Sequence, residues 1–133
     1  MSDKTFDKQG LIAYRLERAR ETLHDAELLF DQGGTPASVV NRAYYAMFYM
    51  VLALLIKVGV GTSKHSGVIA LFDEHFVRPG KFPKEMSKVL HRAFDLRQIG
   101  DYRELLTLDE AQAEEILDAA KVFVHAVEQF LLG

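Results

Sequence analysis

The chain has 133 residues, a length that fits one domain around one core, so its organisation is read as a single unit over 1–133. With 49% hydrophobic and 26% charged residues the composition is that of a soluble globular protein, and a net charge of -3 argues against a generally basic nucleic-acid coat while leaving room for a local basic patch. Cysteine is absent, which excludes disulfides and thiolate metal sites, and the start Met1-Ser2-Asp3-Lys4-Thr5-Phe6-Asp7 lacks the apolar core of a signal peptide, so a cytoplasmic location is expected.

Glycine and proline divide the chain into helical pieces, and no alternating, strand-like segment lies between them. Leu16, Ala19, Leu23, Ala26 and Phe30 mark an amphipathic first helix that should stop at Gly33-Gly34. Thr35 then offers an N-cap and Pro36 a first-turn residue for a central helix ending near Gly59-Val60-Gly61. Ser63 is placed to cap a short third helix carrying Val68, Leu71, Phe72 and Phe76, which Arg78-Pro79-Gly80 breaks. Pro83 opens the fourth helix. Thr107-Leu108-Asp109-Glu110 has capping-box spacing, and Ile116, Ala120, Phe123, Val127 and Phe130 recur at helical intervals after it. The expected fold is all-α: an up-down four-helix bundle with an additional short helix.

The central helix carries the functional clue. Asn41-Arg42-Ala43-Tyr44-Tyr45-Ala46-Met47-Phe48-Tyr49 runs into Met50-Val51-Leu52-Ala53-Leu54-Leu55-Ile56, so an amide and a guanidinium head an otherwise apolar segment. Polar groups that enter a bundle core must be paired or used. The uncharged run from Ala43 to Ile56 is 14 residues, short of the roughly 20 that a membrane span needs, and it reads as a core helix with no membrane role. Asn41, Tyr45 and Phe48 share one face of it, Arg42 and Tyr49 the next.

On the fourth helix Met86, Leu90, Phe94, Arg97 and Asp101 recur at three and four residues, which continues the apolar stripe into an ion pair and turns Arg97 inward or into a cleft. A planar guanidinium so placed suits a phosphate or another charged group; the alternative is an ordinary salt bridge at a helix end. Lys64 and His65 follow the expected cap Ser63, where free amides favour an anion, although a histidine there also serves as a packing residue. The loop Gly59-Val60-Gly61-Thr62-Ser63-Lys64 lacks both the Gly-Lys-Ser/Thr ending and the preceding strand of a phosphate-binding loop. His24 and His125 precede Glu27 and Glu128 in the reverse of the order that a carboxylate-bridged di-metal bundle requires, so neither a metal nor another cofactor is expected. No strand-turn-helix elbow exists to hold a hydrolase nucleophile.

Three motifs in order, Asn41-Arg42-Ala43-Tyr44-Tyr45-Ala46-Met47-Phe48, Ser63-Lys64-His65-Ser66-Gly67 and Arg97 with Asp101-Tyr102, resemble the HEPN superfamily, and among its members the small stand-alone proteins. The resemblance runs from the first helix to Ala119-Ala120-Lys121-Val122-Phe123. It implies a helical bundle that forms a homodimer with the arginine facing a cleft between protomers. Many relatives are metal-independent endoribonucleases, and many are toxins paired with a minimal nucleotidyltransferase antitoxin.

One departure from that pattern bears on chemistry. Ribonuclease members carry a histidine after the arginine, with four to six residues between, whereas here Asp101 and Tyr102 follow Arg97 and the next histidine is His125. Metal-free RNA cleavage needs a group that titrates near neutrality, and a carboxylate paired with Arg97 is a weak base and a poor acid. Either the protein binds RNA or nucleotide without cutting, or His65 supplies the proton transfer. The resemblance therefore implies a component of a toxin-antitoxin or related defence pair, with Arg97, Asp101 and His65 as catalytic candidates. Asn41, Arg42, Tyr45, Lys64 and Tyr102 are the candidate RNA or nucleotide contacts. Asp101 would orient Arg97 or Arg42, and Tyr102 as an acceptor of nucleotidyl transfer rests on the likeness alone. The alternative is a non-catalytic helical module that docks a nucleotidyltransferase.

Overall fold

The computed structural model describes residues 7–101 and 108–133, without the side chain of Asp101. Helix α1 spans Lys8–Asp31, and the Asp7 carboxylate caps it by accepting from the Gly10 amide at 2.9 Å. It stops ahead of Gly33, whose φ of 77° no β-substituted residue adopts cheaply. Helix α2 spans Pro36–Val58, with the Thr35 hydroxyl accepting from the Ser38 amide at 3.2 Å and Gly59 closing it in the left-handed region.

Helix α3 spans His65–Phe72 and departs from the expected start. Its N-cap is Lys64 rather than Ser63, because the backbone is still extended at Lys64, and no side chain bonds to the freed amides of the first turn. The Thr62 hydroxyl, by contrast, faces the Lys64 amide at 3.4 Å. The helix also outruns Phe72 as a π-helical turn, Asp73–Val77, whose wider winding seats Phe76 in the core. Helix α4 spans Lys84–Asp101 directly after Pro83.

Helix α5 spans Glu110–Leu132. Its capping box is built from Asp109 and Gln112: Asp109 Oδ1 accepts from the Gln112 amide at 2.8 Å, and the Asp109 amide donates to Gln112 Oε1 at 2.9 Å. A carboxylate there also faces the positive end of the helix. Thr107 lies outside the described residues.

Cross-helix contacts fix the directions. Arg18 meets Tyr49 while Leu28 and Leu29 share a groove with Arg42, so α1 and α2 are antiparallel. Arg20 pairs with Glu128 and Glu27 with Lys121, which makes α5 antiparallel to α1; Arg92 with Glu115, together with Met86 beside Val122 and Ala126, does the same for α4 and α5. The result is the up-down order of four long helices. Helix α2 packs against all the others and forms the core axis. By length and composition it could cross a membrane, its 23 residues outrunning the 14 free of charge, but 67% of its most apolar window is buried inside the bundle.

Phe72, Phe76, Phe82, Phe123 and Phe130 fill one end, with Phe82 and Phe130 ring centres 5.1 Å apart. The other end is where polar aromatics collect. From Phe48 to Val58 the helix descends about 15 Å. The six residues Gly59 to Lys64 reach at most about 20 Å when extended, enough to climb back along α2 and set His65 beside Tyr44 and Phe48.

Two substitutions test this packing. Phe123→Ala, at 1% exposure, is expected to remove about 3–5 kcal/mol of stability by opening a cavity, and Gly59→Ala about 1–2 kcal/mol by forcing a side chain to φ 78°. Urea unfolding followed by circular dichroism reads both. A midpoint unchanged in Phe123→Ala would contradict the assigned core.

Candidate functional site

Tyr44 sits in the middle of the apolar α2 with 0% of its surface exposed. A buried hydroxyl needs a partner, and it finds His65 Nδ1 at 2.9 Å. The imidazole lies flat on Phe48, ring centres 4.3 Å apart and planes 14° apart, and meets Tyr45 edge-on at 5.7 Å. Phe94 packs on Tyr44 from α4 at 5.9 Å. The histidine is thus held by packing on its faces and by a hydrogen bond on one nitrogen.

Arg97 comes in from α4 as its place on the apolar stripe predicts. Its guanidinium carbon lies 5.5 Å from the Tyr44 ring centre and 5.4 Å from that of Tyr45, and its Nε is buried with no hydrogen-bond partner among the described residues. Arg42 covers the Tyr45 ring at 5.3 Å while donating through Nε and Nη2 to Asn41 Oδ1 at 3.1 and 2.9 Å. Two guanidinium groups therefore flank one half-buried tyrosine.

The electrostatics follow from burial and from Arg97. Burial pushes the Tyr44 hydroxyl well above the usual phenol range, with Arg97 pulling in the opposite direction, so it stays protonated at neutral pH. Burial first, and the Arg97 charge second, push His65 below the ordinary histidine value, so the imidazole is neutral there. A protonated phenol is the stronger donor of the two. When it donates to Nδ1, the ring hydrogen sits on Nε2 and makes that nitrogen a donor turned away from Tyr44. Fixed positive charge, an imidazole donor and an aromatic face make a receptor for an anion attached to a planar ring. In that tautomer His65 is not set up as a base.

The structure brings together Asn41, Arg42, Tyr45, His65 and Arg97. Lys64 is exposed at the start of α3 and makes no side-chain contact with this group among the described bonds. The Asp101 side chain and Tyr102 lie outside the described residues. Tyr44 joins this group through His65, and Phe48, which the sequence sets on one face with Asn41 and Tyr45, stacks on the same imidazole; the i,i+4 spacing of the two is the signal in the motif, and its meaning depends on where His65 arrives. Among the described residues no group of three or more His, Cys, Asp or Glu is positioned to hold a metal.

A sequence model of the HEPN domain matches residues 12–130. A Thermotoga maritima protein named UPF0332 protein is 43% identical over 125 residues, covering 94% of this chain and 94% of its own length. A Methanocaldococcus jannaschii protein named "Putative toxin MJ0605" is 34% identical over 119 residues, covering 87% of this chain and 85% of its own. A second from that organism, "Putative toxin MJ0142", is 29% identical over 118 residues, covering 89% and 80%.

His65 provides a test of the site's electrostatics. Since the folded protein holds this proton less tightly than the unfolded chain, the unfolded state takes up protons first as pH falls, and stability is lost as pH drops through about 6.5. The urea midpoint of the parent is expected to decline between about pH 7.5 and 5.5 more steeply than that of His65→Asn. Equal slopes for the two proteins would show that His65 titrates alike folded and unfolded.

Proposed function

Because the chain belongs to the HEPN family, two of whose members named above carry toxin names, we propose that it is the toxin-like partner in a pair with a minimal nucleotidyltransferase, binding RNA or a nucleotide as a homodimer. The observation that carries this reading is Arg97: a guanidinium drawn into an aromatic cluster, its Nε buried without a described partner, beside a neutral imidazole. Phosphate oxygens meet a guanidinium fork in two parallel hydrogen bonds, and a base can stack on the exposed part of Tyr45. Asn41 orients Arg42, which adds a second cation to the same tyrosine. In a homodimer with two such clusters facing one cleft, local positive charge would rise despite an acidic chain.

Binding is better supported than cutting. The expected motif histidine is absent, and His65 spends Nδ1 on Tyr44. If RNA is cut, His65 gives a proton to the leaving oxygen only as the imidazolium, because a neutral ring N–H is far too weak an acid, and that form requires the Tyr44 hydroxyl to release Nδ1.

The test uses purified protein with labelled RNA and EDTA, beside Arg97→Ala and His65→Ala variants shown to fold and to keep the parent's oligomeric state. Arg97→Ala is expected to weaken RNA binding at least about tenfold, the scale of one lost charge-assisted contact. Cleavage by the parent that His65→Ala abolishes would assign the proton transfer to His65. Unchanged RNA affinity in folded Arg97→Ala would make the cluster structural and leave a module that docks a nucleotidyltransferase.

A further inference from the structure

Three cations elsewhere on the bundle are paired across helix boundaries: Arg20 with Glu128, Lys121 with Glu27 and Arg92 with Glu115. The arginines of the α1–α2 face are handled differently, each lying over a tyrosine. Arg18 lies 5.3 Å from the Tyr49 ring centre, Tyr49 is 5.8 Å from Tyr45, and Tyr45 takes Arg42 at 5.3 Å and Arg97 at 5.4 Å. Arg15, one turn before Arg18, lies over Tyr14 at 5.7 Å, and Tyr14 is one of the exposed large apolar residues.

Acids are sparse along this line. Glu21 approaches Arg18 to 3.9 Å on the same helix, and Asp25 lines the groove beside Arg42. Arg15, Arg42 and Arg97 form no ion pair among the described residues. Of the three buried side-chain polar atoms without a partner there, two are the Nε atoms of Arg15 and Arg97.

We propose that this line of alternating arginine and tyrosine is a binding path for single-stranded RNA across the α1–α2 face, with the Arg97 cluster at one end. It rests on the RNA-binding reading of that cluster and extends it to Arg18 and Tyr49. Guanidinium groups alternating with aromatic faces match the alternation of phosphates and unpaired bases in a single strand. A duplex hides its base faces and leaves the tyrosines without a role. An acidic peptide would use the charges but not the rings. The net charge of -3 is no obstacle, because binding answers to local charge, and along this line Arg15, Arg18, Arg42 and Arg97 stand against Glu21 and Asp25.

The experiment measures fluorescence anisotropy of a labelled oligouridylate of about ten nucleotides, and of labelled uridine monophosphate, over a salt series with EDTA present. Parent, Arg97→Ala, Arg18→Gln and Tyr49→Leu are compared, each checked for folding by thermal melting. Arg18→Gln is expected to weaken the oligonucleotide about tenfold and to lower its salt slope by about one, leaving the mononucleotide unaffected. Tyr49→Leu is expected to weaken the oligonucleotide at unchanged slope, since it removes stacking and not charge.

Oligonucleotide binding that depends on Arg97 but not on Arg18 or Tyr49 would overturn the path and leave the Arg97 site standing. No binding of either ligand by the parent would overturn both. Dissociation of a dimer by Arg18→Gln, with affinity and slope unchanged, would show instead that this face joins two copies of the chain.

Discussion

Burying the Tyr44 hydroxyl in the apolar middle of α2 obliges the fold to bring a polar partner to it. The partner, His65, is separated from it by the rest of α2 and a six-residue loop, so the hydrogen bond fixes the path of that loop and the place where α3 begins. A buried, unpaired hydroxyl would cost about 1–3 kcal/mol, comparable to a sizeable part of the net stability of a small domain. Phe48 supplies a second hold by stacking on the imidazole, so the histidine is restrained in both position and plane. With α3 anchored there, its π-helical continuation delivers Phe76 to the phenylalanine cluster at the opposite end. The two ends of the bundle thus divide the work between dry packing and polar chemistry.

The same burial sets the charges. Tyr44 stays neutral because burial outweighs the opposing pull of Arg97, and His65 stays neutral because it is desolvated and because the Arg97 guanidinium stands beside it. One permanent cation among neutral aromatic donors is an arrangement that waits for an anion. Elsewhere on the surface, acid-base pairs span α1 to α5 and α4 to α5, where they add little energy each. Arg15, Arg42 and Arg97, which form no ion pair among the described residues, each lie over a tyrosine ring.

Much of this was legible in the sequence wherever local rules decide. Thr35, Pro36 and Gly59 bound α2 as read, since capping and left-handed closure depend on neighbours in the chain. The four-residue rhythm from Met86 to Arg97 correctly turned the arginine inward, because periodicity on a helix does not depend on what it packs against. Illegible were features that distant contacts decide. The π-helical turn answers to the seat of Phe76 in the core and the α3 start to His65 reaching Tyr44. Tyr45 was singled out and Tyr44 was not, although Tyr44 makes the bond, because side by side in a motif they differ only in which way the bundle turns them.

Nuclear magnetic resonance of the side chains themselves tests most directly whether a ligand binds at the polar aromatic end of the bundle. Protein labelled with nitrogen-15 in arginine and histidine would be titrated with a single-stranded RNA, following the Nε–H signal of Arg97 and the ring nitrogens of His65. Saturable shifts at Arg97 and His65, with the Arg92 signal on the far side unmoved, are the predicted result. Shifts at Arg92 with Arg97 and His65 silent would contradict it, because the RNA would then lie on the α4–α5 face and the Tyr44 cluster would be architecture alone.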